Sequence, residues 1–364
     1  MKKRADGRYL KQVLIGYNPN GKPKYKNIYG HSQADVNRRA ELLKAEIEKG
    51  TAVLEEITVG QWSERWFSLY KASSSVNTQN MYRNIINVHI KPTIGNLKLI
   101  SLKPHHIQTA MNNLISEGKN TTAKQFRMTI RQILKAAVEN NYVAKNVADN
   151  IQPPKSERLK KRALSENEKN YVNNANFTPK QRAFISVIYY AGLRRGEALA
   201  LKFDDFDLKN KHVNISRTMV FDGNNVIVKP MPKTDAGIRS LPLPDKLIDA
   251  LFPHMSGMCS GELLFTMNNG EPITKSSFRK FWNGIIKELQ ETAKKIDGTS
   301  LASDITPHIF RHTYATSLYY AGIDIKTAQY LLGHASIQMT LDVYTHLERL
   351  ENSNIADKLN TLFK

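Results

Sequence analysis

Four side chains in the last sixth of this 364-residue chain have the types and spacing for chemistry at a phosphate. They lie in the stretch H-I-F-R-H-T-Y-A-T-S-L-Y-Y-A-G-I-D-I-K-T-A-Q-Y-L-L-G-H-A-S-I-Q-M-T-L-D-V-Y-T-H, His308 to His346. His308 and Arg311 are three apart, which on a helix puts them on one face. Gly333-His334 reads as a helix end, and Ser336 as the N-cap of a last short helix carrying Tyr344 near its end. No cysteine or acidic metal-ligand set accompanies these residues. The inventory therefore suits attack by a tyrosine on a phosphate better than metal hydrolysis.

The rest of the chain reads as the means of delivering a polyanion to that set. The net charge is +20, with a pI near 9.8. An excess of that size favours DNA or RNA over an acidic protein or a lipid surface, although a merely basic protein would show the same figure. Cys259 is the lone cysteine, which excludes an intrachain disulfide and points to a reducing cytoplasm. The start, M-K-K-R-A-D-G, lacks the apolar core of a signal peptide. The most apolar run, Phe184 to Leu193, is too short to span a bilayer, so no membrane partner is expected. The length suits two or three domains.

Residues 1–50 read as a small sheet with one helix. Tyr9 to Tyr17 and Lys24 to Tyr29 are strand-like around the turn Asn18-Pro19-Asn20-Gly21. Ser32 caps a helix with Val36, Ala40, Leu43 and Ile47 on one face, and Gly50 stops it. Early lysines and arginines make this unit basic, which suits a DNA groove or equally a protected, solvated edge. Residues 58–150 read as four helices. Thr58 and Gln61 form a capping box for the first, through Lys71, with Trp62, Trp66 and Leu69 on its apolar face. The second runs from about Asn77 to His89 and stops before Pro92; the third starts near Pro104 and ends by Gly118. The fourth spans Thr122 to Asn140, with Phe126, Ile130, Ile133 and Ala137 beside a basic stripe of Lys124, Arg127, Arg131 and Lys135. That stripe is a candidate DNA contact or a solvated face. Residues 151–162 are a linker made basic by Lys155, Arg158, Lys160, Lys161 and Arg162. In the third region, 163–350, Ser165 and Glu168 cap a helix, and strands are expected at His212–Arg217, Val226–Lys229 and Ile238–Leu243. A helix over Ser276–Lys295 carries Arg279 and Lys280, two further candidate DNA contacts. Residues 351–364 form an amphipathic tail helix.

The third region resembles the catalytic domain of tyrosine recombinases, the phage-integrase family. The resemblance rests on G-L-R-R-G-E (Gly192 to Glu197), P-K-T-D-A-G-I-R-S-L-P-L (Pro232 to Leu243), H-x-x-R-H (His308 to His312), L-G-H (Leu332 to His334) and Tyr344, ten residues after His334. Residues 58–150 resemble the family's helical core-binding domain. Residues 1–50 resemble the arm-binding domain of lambda-type phage and conjugative-transposon integrases. The resemblance implies a multidomain, mainly α chain: a three-stranded sheet plus helix, a helical core-type DNA-binding domain, and a mixed α+β catalytic domain.

The implied reaction is transesterification without metal, ATP or other cofactor. Tyr344 attacks the scissile phosphorus, a 3′-phosphotyrosyl bond forms and a 5′-hydroxyl leaves. Arg194 and Arg311 would clamp the non-bridging oxygens, His308 would accept the Tyr344 proton or hydrogen-bond a phosphate oxygen, His334 would donate to a non-bridging oxygen, and Lys233 would protonate the leaving oxygen. Glu197 suits pairing with a basic side chain better than catalysis, and His312 and His346 suit packing or capping. Tyr314, Tyr319, Tyr320 and Tyr330 compete with Tyr344 by type and are set aside as core or interface residues. The expected function is integration and excision of a mobile element, a prophage first, by a tetramer on double-stranded DNA, with a host DNA-bending protein and an excisionase as partners. A type IB topoisomerase-like relaxing enzyme and a DNA-binding protein on an inactive scaffold are the alternatives.

Overall fold

The computed structural model describes residues 3–17, 22–48, 57–154, 162–231 and 237–351. The chain divides into two compact units, Met1–Arg158 and Leu159–Lys364.

In the first unit, β1 (Tyr9–Tyr17) and β2 (Pro23–Gly30) pair antiparallel, and α1 (Gln33–Glu48) packs on them. Val13 and Ile15 of β1 and Val36 and Ala40 of α1 supply the buried residues. In place of a third strand the described residues give one bridge, Lys3 to Tyr9. The turn at Arg4–Gly7, where the Gly7 N–H bonds the Arg4 carbonyl, takes the chain out of extended geometry.

The helical part contains α2 (Val59–Tyr70), α3 (Val76–Asn84), a π-helical segment Ile85–Ile90, α4 (Lys91–Ile94), α5 (Pro104–Ser116) and α6 (Asn120–Glu139). The Thr58/Gln61 capping box is present with both bonds made, at 3.2 and 3.0 Å. Trp62 is buried and donates its indole N–H to the Ile133 carbonyl at 2.9 Å, fastening α2 to α6. Phe126, Ile130, Ile133 and Ala137 are all buried, as their spacing predicts. Two expectations fail. Leu69 is exposed, because the bundle covers only the Trp62–Trp66 side of α2. The helix expected to stop before Pro92 continues to Ile94. A proline ring collides with the carbonyl four residues back in an α-helix. Here the π turn widens the ladder, with the Lys91 N–H on the Ile86 carbonyl, and the chain passes through the proline.

The second unit starts with α7 (Glu166–Asn174), capped by Ser165 and Glu168 as expected, then α8 (Pro179–Tyr190) and the short α9 (Arg195–Leu199). β3 (Phe206–Asp207), β4 (His212–Ile215) and, later, β7 (Arg239–Pro242) form an antiparallel sheet in the order β3-β4-β7. Between β4 and β7, β5 (Arg217–Asp222) and β6 (Asn225–Pro230) form a separate hairpin, so the expected strand His212–Arg217 is split at Ser216. α10 (Asp245–Met255), α11 (Lys275–Asp297), α12 (Pro307–Tyr320), α13 (Ile325–Leu332) and α14 (Ile337–Glu351) complete the unit. Phe184 of α8 is fully buried, with Phe265, Phe278 and Phe281 set edge-on at 5.3–5.6 Å. Burying a ring of that kind contributes roughly 1.5–3 kcal/mol. α14 is fifteen residues long with Tyr344 at its middle, longer than the short helix expected. The tail helix expected over 351–364 lies, beyond Glu351, outside the described residues.

Candidate active site

The site is built on the C-terminal end of α13. Gly333 adopts φ +60°, ψ +46°, a left-handed conformation that glycine takes without Cβ strain. The turn that follows is a Schellman motif: the Gly333 N–H bonds the Tyr330 carbonyl at 2.9 Å and the His334 N–H bonds the Gln329 carbonyl at 3.1 Å. The next three carbonyls of the chain, Leu331, Leu332 and Gly333, are left without helical donors. Each is taken by a different arginine. Arg239 donates Nε to Leu331 at 3.3 Å, Arg311 donates Nη2 to Leu332, and Arg194 donates Nη2 to Gly333 at 2.7 Å. The negative end of the helix dipole adds to the attraction.

Arg311 sits one turn into α12 and is buried; its second bond runs from Nη1 to the Gly192 carbonyl at 2.7 Å. Gly192 itself has φ +63°, and a Cβ there would stand 2.2 Å from the Tyr314 ring. Both requirements explain why glycine opens the G-L-R-R-G-E box. Of the paired arginines, Arg194 turns to the site, whereas Arg195 lies over the Phe221 and Phe278 rings at 5.5 and 5.3 Å. Arg194 donates Nη1 to Glu197 Oε1 at 2.7 Å, and its backbone N–H bonds Oε2 at 3.0 Å. Glu197 is buried and also accepts from Arg239 Nη2 at 2.9 Å. Desolvation would raise its carboxyl, but the two guanidiniums outweigh it and hold it down at about 2. Glu197 is thus the structural partner of basic side chains that its sequence context suggested.

Among the described residues, three guanidiniums gather here against one carboxylate. Burial and the neighbouring Arg194 push Arg311 down to about 9, so it stays charged at neutral pH but poorly compensated. Burial and the same arginines push His334 down to about 3, leaving a neutral imidazole. Its Nδ1 lies 2.9 Å from Thr340 Oγ1. With the threonine hydroxyl donating, Nε2 carries the ring proton and is a donor. Such a site is short of an anion.

His308 is exposed at the first turn of α12, with the His312 ring 4.6 Å away. Tyr344 is 4% exposed, in a small core with Ala315, Leu318, Ala328 and Leu332. Its hydroxyl donates to the Ile323 carbonyl at 3.2 Å, and the Tyr319 ring lies 5.1 Å off, edge-on. Burial raises its pKa, so the phenol is held protonated in this pose. Tyr314 is also partly buried, whereas Tyr320 is 62% exposed and so is not a core residue of this unit, and Tyr330 bonds the Ser240 backbone N–H through its hydroxyl at 3.1 Å. Lys233 and the His346 side chain lie outside the described residues, as do Lys155, Arg158, Lys160 and Lys161.

The basic stripe on α6 is partly engaged by its own chain. Arg127 donates to the Ile151 carbonyl, Arg131 pairs with Asp149 at 2.7 Å, and Lys135 lies 3.8 Å from Glu139. Lys124 is half-buried, and Arg279 and Lys280 are exposed on α11. Arg162, counted in the basic linker, is bound to Glu168 and Asp304 at 2.6 Å each, so its charge is neutralised within the fold. Arg239 was missed by the sequence reading. The signal for it is an arginine at the first inward position of an alternating strand whose next inward residue, Leu241, is apolar and buried.

A profile described as "Phage integrase family" matches residues 170–351, and one for the "Phage integrase, N-terminal SAM-like domain" matches residues 58–115. The chain is 27% identical to the "Tyrosine recombinase XerC-like" protein of Caldanaerobacter subterraneus subsp. tengcongensis, over 98% of this chain and 96% of the relative. It is 26% identical to the ICEBs1 integrase of Bacillus subtilis, over 100% and 99%. In fold it is similar to the Tn1549 transposon integrase in complex with transposon right end DNA, with a TM-score of 0.68 at 22% identity over 82% of this chain and 100% of that one. It is likewise similar to a lambda integrase dimer bound to a COC' core site, with a TM-score of 0.60 at 20% identity over 94% and 93%. The first profile spans half the chain and takes in the arginine-rich end of α13 together with Tyr344, and on that ground the chain belongs to the phage integrase family and is a tyrosine-type site-specific recombinase.

Proposed function

We propose that this recombinase cleaves and rejoins double-stranded DNA through a covalent bond between Tyr344 and a 3′-phosphate. The observation that carries the reading is the surplus of buried guanidinium charge at the end of α13, with Arg194 and Arg311 fixed by backbone carbonyls and a neutral His334 beside them. A scissile phosphate supplies the missing anion. In the pentacoordinate transition state its non-bridging oxygens gain charge, and pre-set donors of this kind are worth about 2.7–4 kcal/mol each. Tyr344 Oη forms a bond to phosphorus as the bond to the 5′-oxygen breaks. His308 or the phosphate takes the phenol proton, and Lys233 protonates the leaving oxygen. His334 Nε2 donates to a non-bridging oxygen. Attack requires the Tyr344 hydroxyl to leave the Ile323 carbonyl, because that bond holds the phenol proton away from the group that must accept it.

The DNA is held in this reading by the exposed Arg279 and Lys280, by the α6 stripe of Lys124, Arg127, Arg131 and Lys135, and by Lys155, Arg158, Lys160 and Lys161. The working form is a homotetramer, as in a lambda integrase tetramer bound to a Holliday junction, served by a host bending protein and an excisionase. The end-to-end match to the ICEBs1 integrase and the 74% coverage by the transposase of Tn916 favour a conjugative element over a prophage. A DNA substrate nicked beside the crossover point should trap a covalent adduct. Tyr344→Phe should bind that DNA with unchanged affinity and form no adduct; adduct formation by the variant would remove Tyr344 as nucleophile.

A further inference from the structure

Arg239 carries a charge where the strand pattern calls for an apolar side chain. It stands opposite Ile215 in the β4–β7 register, on the inward face shared with Leu241, and its side chain is fully shielded from solvent. Taking a charge out of water is expensive, and a buried ion pair is seldom more stabilising than apolar residues of the same volume. Stability alone therefore does not account for an arginine here.

Its bonds do. Arg239 reaches both oxygens of Glu197, at 2.9 Å from Nη2 to Oε2 and 3.4 Å from Nη1 to Oε1. Those same two oxygens take the Arg194 guanidinium and the Arg194 backbone N–H. Through Nε, Arg239 also holds the Leu331 carbonyl, two residues before the Gly333 carbonyl on which Arg194 Nη2 rests. Both supports of the Arg194 side chain, the carboxylate and the helix end, are thus braced by one buried guanidinium. The Ser240 N–H bond to Tyr330 Oη ties the same strand to α13 a second time.

We propose that Arg239 is a positioning residue for the recombination reaction: acting through Glu197 and the end of α13, it sets the Arg194 guanidinium in its phosphate-binding pose without touching DNA. The proposal rests on the reading of Arg194 as a phosphate clamp. A lysine at 239 keeps the charge but cannot span both carboxylate oxygens and the Leu331 carbonyl. A displacement of the clamp by about 1 Å lowers the rate by roughly a hundredfold.

The test is single-turnover cleavage of the nicked substrate, with DNA affinity and thermal unfolding measured in parallel. Arg239→Lys should cleave about a hundredfold more slowly at unchanged affinity. In the double variant Arg194→Lys/Arg239→Lys the losses should not multiply, because one group acts through the other; multiplying losses overturn the proposal. Glu197→Gln/Arg239→Met removes the pair as a neutral unit. It should recover most of the thermal stability lost by Arg239→Met and remain slow, which separates positioning from support of the fold. Recovery of both stability and rate overturns the proposal, as does failure of Arg239→Lys and of the paired variant to fold. Cleavage at the normal rate by Arg194→Ala would instead sink the clamp reading beneath it.

Discussion

Replacing Gly192 by alanine should damage both stability and cleavage, by amounts that the local geometry sets. The residue sits at φ +63°, where an L-residue costs about 1–2 kcal/mol. The new Cβ would stand 2.2 Å from Cδ1 and 2.7 Å from Cε1 of Tyr314, so the ring or the backbone must shift. Overpacking of this kind adds about 1–3 kcal/mol. The total of about 2–5 kcal/mol corresponds, for a unit the size of Leu159–Lys364, to a fall in Tm of roughly 5–20 °C. The functional loss comes from the carbonyl of the same residue, which holds Arg311 Nη1 at 2.7 Å. A backbone shift there moves the guanidinium, and adduct formation should slow by roughly ten- to a hundredfold. Thermal unfolding and trapping on the nicked substrate read the two effects separately. Adding Tyr314→Ala should relieve the packing part alone, a favourable coupling of about 1–3 kcal/mol in a double-mutant cycle. A Gly192→Ala protein that melts within about 2 °C of the parent and cleaves normally would refute this account of the box.

Gly333→Ala should cost about 1–2 kcal/mol by the same left-handed strain, and by turning the Leu332 and Gly333 carbonyls away from Arg311 and Arg194 it should slow cleavage more than DNA binding, as gel shift and adduct yield would show. His334 gives a pH signature. Its folded value of about 3 lies below the ordinary 6.5, so the unfolded chain binds the extra proton between those limits. Stability from this group is complete above about pH 6.5 and is lost on acidification, by about 2 kcal/mol at pH 5. Urea unfolding at pH 5 and pH 7.5 should show that difference, and His334→Gln should lack it. Tyr344→Phe should lose about 0.5–1.5 kcal/mol through its bond to the Ile323 carbonyl, measurable as a lower urea midpoint at unchanged slope.

Much of the fold was legible because its causes are local. The capping boxes at Thr58 and Ser165, the buried face of α6 and the glycine end of α13 depend on residues within a few positions of one another. Failures came where a neighbour distant in sequence, or a departure from regular helix, overrode the pattern. Leu69 has the right spacing on α2 but stays exposed among the described residues, and Pro92 does not stop its helix because the preceding turn is π-helical. The pairing of Arg131 with Asp149, eighteen residues on, has no signal in the spacing of the α6 stripe, whose reading as a DNA contact or a solvated face it leaves open.

The site divides in the same way. Residue types and their order were legible in the chain alone, and the boxes around Arg194, Arg311, His334 and Tyr344 sufficed to place it in its family. How those groups are held emerges only on folding. Three arginines from three separate elements meet on three successive carbonyls that a Schellman turn leaves open, Glu197 joins two of them, and the Tyr344 hydroxyl rests on Ile323. The reason is physical: a buried charge is tolerated according to its partners, and the partners of Arg239 lie 42 and 92 residues away in the chain.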